Sequence, residues 1–264
     1  MAIAQTSDLT AVTRDDPSVR KIRLAELWDV LKLGAADYWA MPTHLFFLGL
    51  IYPIVGLVLA RLVFGYDVLP LLFPLVAGFA LVGPLAALGL YEISRRRELG
   101  LDTTWKDAFQ VFHSPSLPAI AALGLLLLAI FFIWLAVANA LYVASFGYGA
   151  AASIPDFLER IFKTPAGWTL IVVGNGVGFL FALLVLVISV VSFPLLLDRK
   201  VSPIVAILTS LRSVAANPVV MAAWGLIVAI LLIIGSLPLF IGLAIVMPIL
   251  GHASWHLYRK VVAS

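Results

Sequence analysis

The placement of the basic residues constrains this chain more than any other feature of its sequence. Fourteen of the 17 Lys and Arg residues lie in polar stretches that separate long apolar runs. A run of about 18 apolar residues can cross the hydrocarbon core of a bilayer as a helix. Hydrophobic residues make up 63% of the 264 residues and charged residues 12%, which excludes an ordinary soluble domain. The sequence therefore predicts an all-α, multi-pass helical membrane protein.

The apolar runs predict six transmembrane helices, arranged as three hairpins. The last run, 219–250, is too long for one crossing, and Gly235-Ser236-Leu237-Pro238 at its middle is typical of a turn. We divide it into two spans, with one kinked helix as the alternative. Residues 1–20 are expected to form a mobile tail and 21–264 a single membrane domain. The predicted spans are about 43–64, 68–91, 117–142, 168–197, 219–234 and 237–258.

The same basic residues predict the orientation. If the N-terminus is cytoplasmic, only Arg61, Arg160 and Lys163 fall on the outer side of the membrane. Cationic loops resist translocation, so this asymmetry places both termini in the cytoplasm. The net charge of +3 is then explained by orientation and by contact with anionic lipid, and no nucleic-acid partner is expected.

Each hairpin begins with a segment that we expect to lie as an amphipathic helix on the cytoplasmic surface. In the third segment, Ser202 is a predicted N-cap and Pro203 follows at the first helical position. In the second, Thr103 and Thr104 are candidate caps. The apolar stripes are Leu24, Leu27, Trp28 and Leu31; Trp105, Phe109 and Phe112; and Ile204, Ile207, Leu208 and Leu211.

The returning spans are also alike. Each carries a proline followed by an aliphatic residue, and each ends in basic residues. We favour an internal threefold repeat as the interpretation. The alternative is that any membrane hairpin gathers proline and basic residues at its ends. The prolines are Pro84, Pro194 and Pro248, and the basic ends are Arg95-Arg96-Arg97, Arg199-Lys200 and Arg259-Lys260.

Three stretches of the chain carry a resemblance to a known family. The run Gly251-His252-Ala253-Ser254-Trp255-His256, the segment around Trp28 and the stretch from Pro84 to Arg97 are similar to an uncharacterised integral membrane family catalogued as domain of unknown function 2189. The resemblance extends over about residues 20–262. It implies a bacterial inner (plasma) membrane protein of about six spans, and it implies no activity.

Histidine supplies the only candidate metal ligands. His252 and His256 are four residues apart, so on a helix they share a face and could bind a metal, with His44 or His113 as a third ligand. The alternative is that the pair anchors a helix end at the membrane interface beside Trp255. No cofactor is predicted, and haem ligation is disfavoured because no histidine lies at mid-span.

Other candidate residues lie inside the spans or at their ends. Asn139 and Asn175 are polar intramembrane residues that could hydrogen-bond across a helix pair or line a polar notch for a substrate. Gly174 and Gly178 form a small-residue pair typical of close helix packing. The triplet Arg95-Arg96-Arg97 is interpreted as an orientation signal and lipid contact, with a docking site for an acidic partner as the alternative.

The function predicted from these observations is a non-enzymatic scaffold or assembly partner of another membrane complex. Partners would be the lipid bilayer and either a second membrane protein or further copies of this chain. The membrane interior has almost no ionisable residue, since Arg61, Glu92 and Asp198 lie at span ends, and this disfavours an ion-coupled transporter. Two alternatives stay open. One is an uncoupled transporter or channel for a small or lipid-like solute, and the other is a metal- or haem-linked enzyme that uses His252 and His256.

Overall fold

The computed structural model describes residues 17–41, 56, 71–148, 154–237 and 242–263. The predicted first span, 43–64, lies outside these residues except for Gly56. The described helices are α1 (Ala25–Ala40), α2 (Leu72–Phe79), α3 (Gly83–Ala86), α4 (Leu88–Glu98), α5 (Leu117–Phe146), α6 (Ile154–Lys163), α7 (Pro165–Ser189), α8 (Ser192–Asp198), α9 (Pro203–Ala216), α10 (Pro218–Ser236) and α11 (Leu243–Val261). A 3-10 segment, Trp105–His113, is called the 105–113 helix below.

Among the described residues, three helices are long and apolar enough to cross a membrane. They are α5, the continuous stretch Pro165–Asp198 made of α7 and α8, and α10. The predicted third, fourth and fifth spans are therefore confirmed as apolar helices. None of α5, α7 and α10 contains an ionisable Asp, Glu, Lys, Arg or His residue. The charged residues of the described chain therefore lie at the ends of these helices and in the elements between them.

Within the described residues, the predicted second span, 68–91, is not one regular helix. A 3-10 turn, Ala80–Val82, separates α2 from α3, and the helical path continues as α4 to Glu98. Pro84 explains the interruption, because its ring crowds the carbonyl four residues earlier, at Ala80. The arginine triplet is thus the last turn of a helix.

Proline also divides the predicted fourth span. α7 ends at Ser189 and α8 begins at Ser192, so the break falls at Val190 and Val191. Val190 is four residues before Pro194, the position at which a proline ring disrupts a helix. The Ser192 hydroxyl then donates across the break to the Ala206 carbonyl of α9, at 3.0 Å.

The last apolar run folds as two helices, as the sequence predicted. α10 ends at Ser236 and α11 begins at Leu243, and the two helices pack against each other. Gly235 and Gly242 permit this return, since a Cβ added at Gly242 would lie 2.8 Å from the Gly235 carbonyl oxygen. α11 is not among the helices apolar enough to cross a membrane, because its C-terminal half is polar.

The three surface segments bury a face that differs from the predicted apolar stripe. In α1 the buried residues are Leu27, Val30, Gly34, Asp37 and Tyr38, whereas Leu24 and Trp28 are exposed. α9 buries Ala206, Thr209, Ser210 and Ser213 and exposes Ile204, Leu208 and Leu211. The 105–113 helix exposes Trp105, Phe109 and Phe112, whose rings contact one another in series. In α9, small and polar side chains therefore face the bundle and large apolar ones face outward, whereas α1 buries both kinds.

Local caps begin two of these segments as expected. Ser202 accepts a hydrogen bond from the Val205 amide, with Pro203 at the first helical position of α9. The Asp107 carboxylate accepts hydrogen bonds from the Thr104 amide and hydroxyl, at 2.7 and 3.0 Å. Such caps replace the helical partners that the first amides of a helix lack.

The two ends of the described chain are joined to each other. Val19 and Val262 form an antiparallel bridge, in which the Arg20 amide donates to the Val261 carbonyl and the Ala263 amide donates to the Ser18 carbonyl. Residues 18–20, which the sequence placed in the N-terminal tail, are thus bonded to the C-terminus. α1 packs along α11 beside this bridge, more extensively than any other pair of described elements.

Candidate functional site

The polar residues of several elements meet at one end of the described bundle, which we call the polar end. It is formed by α1, the C-terminal turn of α4, the 105–113 helix, α8 and the C-terminal half of α11. These elements contain the polar stretches that the sequence assigned to the cytoplasmic side. Ion pairs connect these elements, among them Asp37–Arg97, Arg96–Asp107, Glu98–Arg259, Asp198–Arg259 and Glu26–Lys260.

Asp37 is the centre of the most buried part of the polar end. One carboxylate oxygen, Oδ1, accepts from Nε of Arg97 at 2.9 Å, and the other, Oδ2, accepts from the Ser94 hydroxyl at 2.6 Å. Nε2 of His256 lies 2.8 Å from Oδ2, and Nδ1 of His252 lies 2.7 Å from the Ser94 oxygen. We call these five residues the Asp37 cluster.

The protons of the cluster can be assigned from these contacts. Burial by itself raises the pKa of the Asp37 carboxyl, but hydrogen bonds from His256 and Ser94 hold that pKa below its ordinary value. An ionised carboxylate only accepts, so the single Ser94 proton is donated to Asp37. The Ser94 oxygen must then accept from His252, which places a proton on Nδ1 of that ring.

The other nitrogen of His252 is sequestered. The side chain is fully buried, and its Nε2 has no hydrogen-bond partner within 3.5 Å among the described residues, although the backbone of Leu90 is near enough to interact with the ring. The two histidines predicted as metal ligands therefore share one face of α11, as expected, but Ser94 and Asp37 occupy one nitrogen of each. Within the described ranges, no group of three or more His, Cys, Asp or Glu residues is arranged to hold a metal ion.

A second set of bonds fixes α11 to the ends of α4 and α8. Glu98 accepts from Nε1 of Trp255 and from Nε of Arg259, both at 2.9 Å. Asp198 accepts from the Tyr258 hydroxyl at 2.6 Å, and Nη1 of Arg259 lies 3.4 Å from the same carboxylate. Trp255 and Tyr258 are fully buried in these contacts between helices.

Every arginine of the predicted orientation triplet is paired within the chain. Arg95 binds both carboxylate oxygens of Glu92, at 2.8 and 2.9 Å. Arg96 lies 3.4 Å from Asp107, and Arg97 binds Asp37. The guanidinium groups are about a quarter to a third exposed, so each also reaches the surface of the polar end.

The predicted intramembrane residues are not brought together into a polar notch. Asn139 and Asn175 are both exposed, and the Asn175 amide donates to the Ile171 carbonyl of its own helix at 2.7 Å. Gly178 does meet a neighbouring helix, since a Cβ there would lie 3.1 Å from the Trp134 ring of α5. Gly174 meets only Leu170 of its own helix, at 4.0 Å.

His113 is not among the partners of the histidine pair on α11. His113 is exposed at the end of the 105–113 helix, and His44 lies outside the described residues. The sequence missed Asp37 and Ser94, the two residues that organise the cluster. Asp37 is 219 positions from His256 and belongs to no local motif, so only its interruption of an otherwise apolar helical face could have drawn attention to it.

This arrangement of long uncharged apolar helices joined at one paired polar end is typical of a polytopic helical integral membrane protein. The family comparison agrees with that class. Residues 71–198 match the model of a family described as predicted integral membrane protein, DUF2189. The resemblance read from Pro84 to Arg97 is therefore confirmed, while the Trp28 segment and the Gly251–His256 run lie outside the matched residues.

Two further comparisons gave no relatives. A search of curated proteins found no match, and a search of solved structures also found none.

Proposed function

We propose that this protein is a non-enzymatic membrane scaffold, which assists the assembly of another complex in a bacterial inner membrane. In this proposal the chain crosses the bilayer six times, with the polar end and both termini in the cytoplasm. The observation that carries the proposal is where the ionisable side chains lie. At the polar end they form ion pairs between α1, α4 and α11, and the apolar helices α5, α7 and α10 contain no Asp, Glu, Lys, Arg or His residue.

Two chemical considerations favour a scaffold over an enzyme or a coupled transporter. Catalytic acids and bases need an accessible proton position, whereas both oxygens of Asp37 and the hydroxyl of Ser94 are already occupied by neighbouring side chains. Ion-coupled transporters place ionisable residues along the path inside the membrane. The described apolar helices offer none.

The outer surfaces of these helices suggest where a partner would bind. Of the three apolar helical stretches, α10 is the least covered by its own chain, with 22% of its most apolar window buried, against 33% for α5 and 50% for Pro165–Asp198. Its exposed face includes Leu226, Ile230 and Ile233. A helical partner could pack there through van der Waals contact, the main source of helix association in lipid.

The experiment is photo-crosslinking in native membranes. A photoreactive amino acid is placed at Ile230 of α10 and, as the matched control, at Phe179, which is an exposed position of α7. The full-length protein is then purified in mild detergent, its adducts are identified by mass spectrometry, and the metal content of the same peak is measured.

A scaffold should give one recurrent, near-stoichiometric protein adduct from Ile230 and lipid adducts from Phe179. A protein that purifies alone and gives lipid adducts from both positions would contradict the scaffold. Flux through reconstituted vesicles would then test the uncoupled transporter, and stoichiometric metal or a Soret band would support the enzyme.

A further inference from the structure

The polar end also contains a cavity, which is separate from the Asp37 cluster. It has a volume of about 310 Å³ and lies between the last turn of α4, the end of the 105–113 helix and the end of α8. This is within the size range of small-ligand sites. Its lining is Glu92, Arg95, Arg96, Gln110, His113, Ser114, Pro115, Ser116, Leu197, Arg199 and Lys200.

The charge of this lining is strongly asymmetric. Four cationic side chains, two from each of the basic ends at Arg95-Arg96 and Arg199-Lys200, face a single carboxylate, that of Glu92. Glu92 is nearly fully buried, and Arg95 already binds both of its oxygens. The carboxylate is therefore neutralised inside the chain. Arg96 and Arg199 lie beside Asp107 and Asp198, so the positive potential of the cavity depends mainly on Lys200.

Lys200 is the cation of this lining that retains unused binding capacity. Arg96 is paired with Asp107 at 3.4 Å, and its Nε is buried. Lys200 is exposed, and no carboxylate of the described chain pairs with it. Around them lie the donors Gln110, Ser114 and Ser116. Arginine and lysine together with hydroxyl and amide donors are the groups that bind phosphate oxygens.

The helix that starts at the cavity adds to this potential. Ser114, Pro115 and Ser116 immediately precede α5, which has 30 residues. The N-terminus of a helix carries a partial positive charge, which favours an anion beside it. The dipole acts here in addition to the side chains and would not define a site without them.

The surroundings of the cavity indicate where such an anion would come from. Gln110 and His113 belong to the same short helix as the exposed rings of Trp105, Phe109 and Phe112. Aromatic rings of this kind lie at the level of lipid headgroups. Basic pockets beside membrane helices on the cytoplasmic side bind anionic headgroups.

We propose that this cavity binds a phosphate group carried by an anionic phospholipid headgroup. The site would be filled from the membrane, with Lys200 and Gln110 on the phosphate oxygens and the exposed rings of Trp105, Phe109 and Phe112 beside the acyl chains. Free inorganic phosphate has the same chemistry and is the other source to be tested. The inference does not depend on the scaffold proposal, because a transporter or an enzyme could hold a lipid in the same way.

The test uses the full-length protein purified in an uncharged detergent. Native mass spectrometry measures the binding of phosphatidylglycerol and of phosphatidylcholine, which has the same phosphate beside a compensating cation. Calorimetry measures the binding of inorganic phosphate. The variants are Lys200→Glu and Gln110→Glu, both at exposed lining positions, and the matched control is Lys21→Glu at an exposed position outside the cavity.

The expected result is tighter binding of phosphatidylglycerol than of phosphatidylcholine, weakened about tenfold, or 1.4 kcal/mol, by each lining variant. Lys21→Glu should change the affinity by less than about twofold. Displacement of the lipid by millimolar phosphate would show that the phosphate group alone is recognised. Failure of phosphate to displace it would assign the site to the intact lipid.

Two results would overturn the proposal. The first is equal affinity for phosphatidylglycerol and phosphatidylcholine together with no binding of phosphate. The second is a Lys200→Glu or Gln110→Glu protein that melts at the parent temperature and binds the lipid as the Lys21→Glu control does. Because both lining positions are exposed, misfolding would not obscure either result.

Discussion

Asp37 shows how much of this fold depends on one carboxylate. It is buried in α1, yet it holds side chains from α4 and α11, so three elements meet at its two oxygens. Removing one partner of a buried ion pair usually costs more than the pair contributes, because the other charge is left without compensation. Asp37 should therefore be the most sensitive ionisable position of the polar end.

We expect Asp37→Asn to destabilise the protein by about 2–4 kcal/mol, since the amide keeps only one acceptor oxygen and leaves the Arg97 charge without compensation. The measurement is thermal unfolding of the full chain in mild detergent. Asp29→Asn is the control, because the Asp29 side chain is 57% exposed and lies 3.9 Å from Lys260. Equal melting temperatures for the two variants would contradict this role.

The low pKa of Asp37 also predicts how stability responds to acid. A carboxyl whose pKa is lower in the folded than in the unfolded chain stabilises the fold fully above its unfolded pKa, about 3.9. That stabilisation is lost as the pH falls through the folded pKa. The parent should therefore lose stability steeply below about pH 4, and Asp37→Asn should lose less between pH 5 and pH 3 when unfolding is followed by intrinsic fluorescence.

At the scale of elements, α1 and α11 approach each other most closely at a glycine. A Cβ added at Gly34 would lie 2.7 Å from the backbone nitrogen and the Cβ of Ala253. Backbone atoms cannot move aside as a flexible side chain can, so the helices would have to separate. The packing of α1 against α11 thus requires glycine, which has no side-chain carbon, at position 34.

Gly34→Ala should cost about 1–3 kcal/mol through overpacking, even though alanine favours helix. The matched control is Gly176→Ala in α7, where an added Cβ meets nothing within 4 Å. That change should be neutral or slightly stabilising. The two melting temperatures, measured under one condition, check the prediction, and a Gly34→Ala protein as stable as the parent would refute it.

Element boundaries that depend on local chemistry could be predicted from the sequence, and the packing faces could not. Ser202 and Pro203 start α9 as expected, and the turn at Gly235 divides the last apolar run. The apolar stripe of α9 was found correctly, but Ile204 and Leu208 face outward and Thr209 and Ser213 face the bundle. In lipid, apolar side chains gain little from burial, so small residues take the helix interfaces.

The sequence could predict the histidine pair of the Asp37 cluster but not the partners of that pair. His252 and His256 are four residues apart, and helical periodicity alone places them on one face. Their partners Asp37 and Ser94 are 219 and 158 positions away. Contacts over such separations follow from the topology of the whole chain, which no local pattern specifies.

At the scale of the whole molecule, the lack of cysteine makes the proposed topology directly testable. Each cysteine introduced is the only thiol in the chain. A membrane-impermeant maleimide applied to intact spheroplasts should label Lys163→Cys in α6, where the lysine is 73% exposed. It should label Lys106→Cys in the 105–113 helix only after permeabilisation. The reverse pattern would invert the orientation, and equal labelling would contradict a crossing by α5.

The order of elements along the chain supports the same arrangement. A short surface helix, a long outgoing helix and a returning segment occur twice, first as the 105–113 helix, α5 and α7–α8, and then as α9, α10 and α11. In both units, the returning segment ends in a basic pair at the polar end. The described residues therefore agree with the repeat predicted from the sequence for its second and third members.

The bridge between Val19 and Val262 sets the order in which the protein can be completed during its synthesis. α1 leaves the ribosome early, but its packing partner α11 follows only after about 200 further residues, roughly 10–40 s of translation. Throughout that interval, the face of α1 that packs on α11 lacks this partner, although α4 can already supply Ser94 and Arg97 to Asp37. The pairing of α1 with α11 can therefore form only after α11 has been made, and a chaperone that shields this face of α1 would act before then.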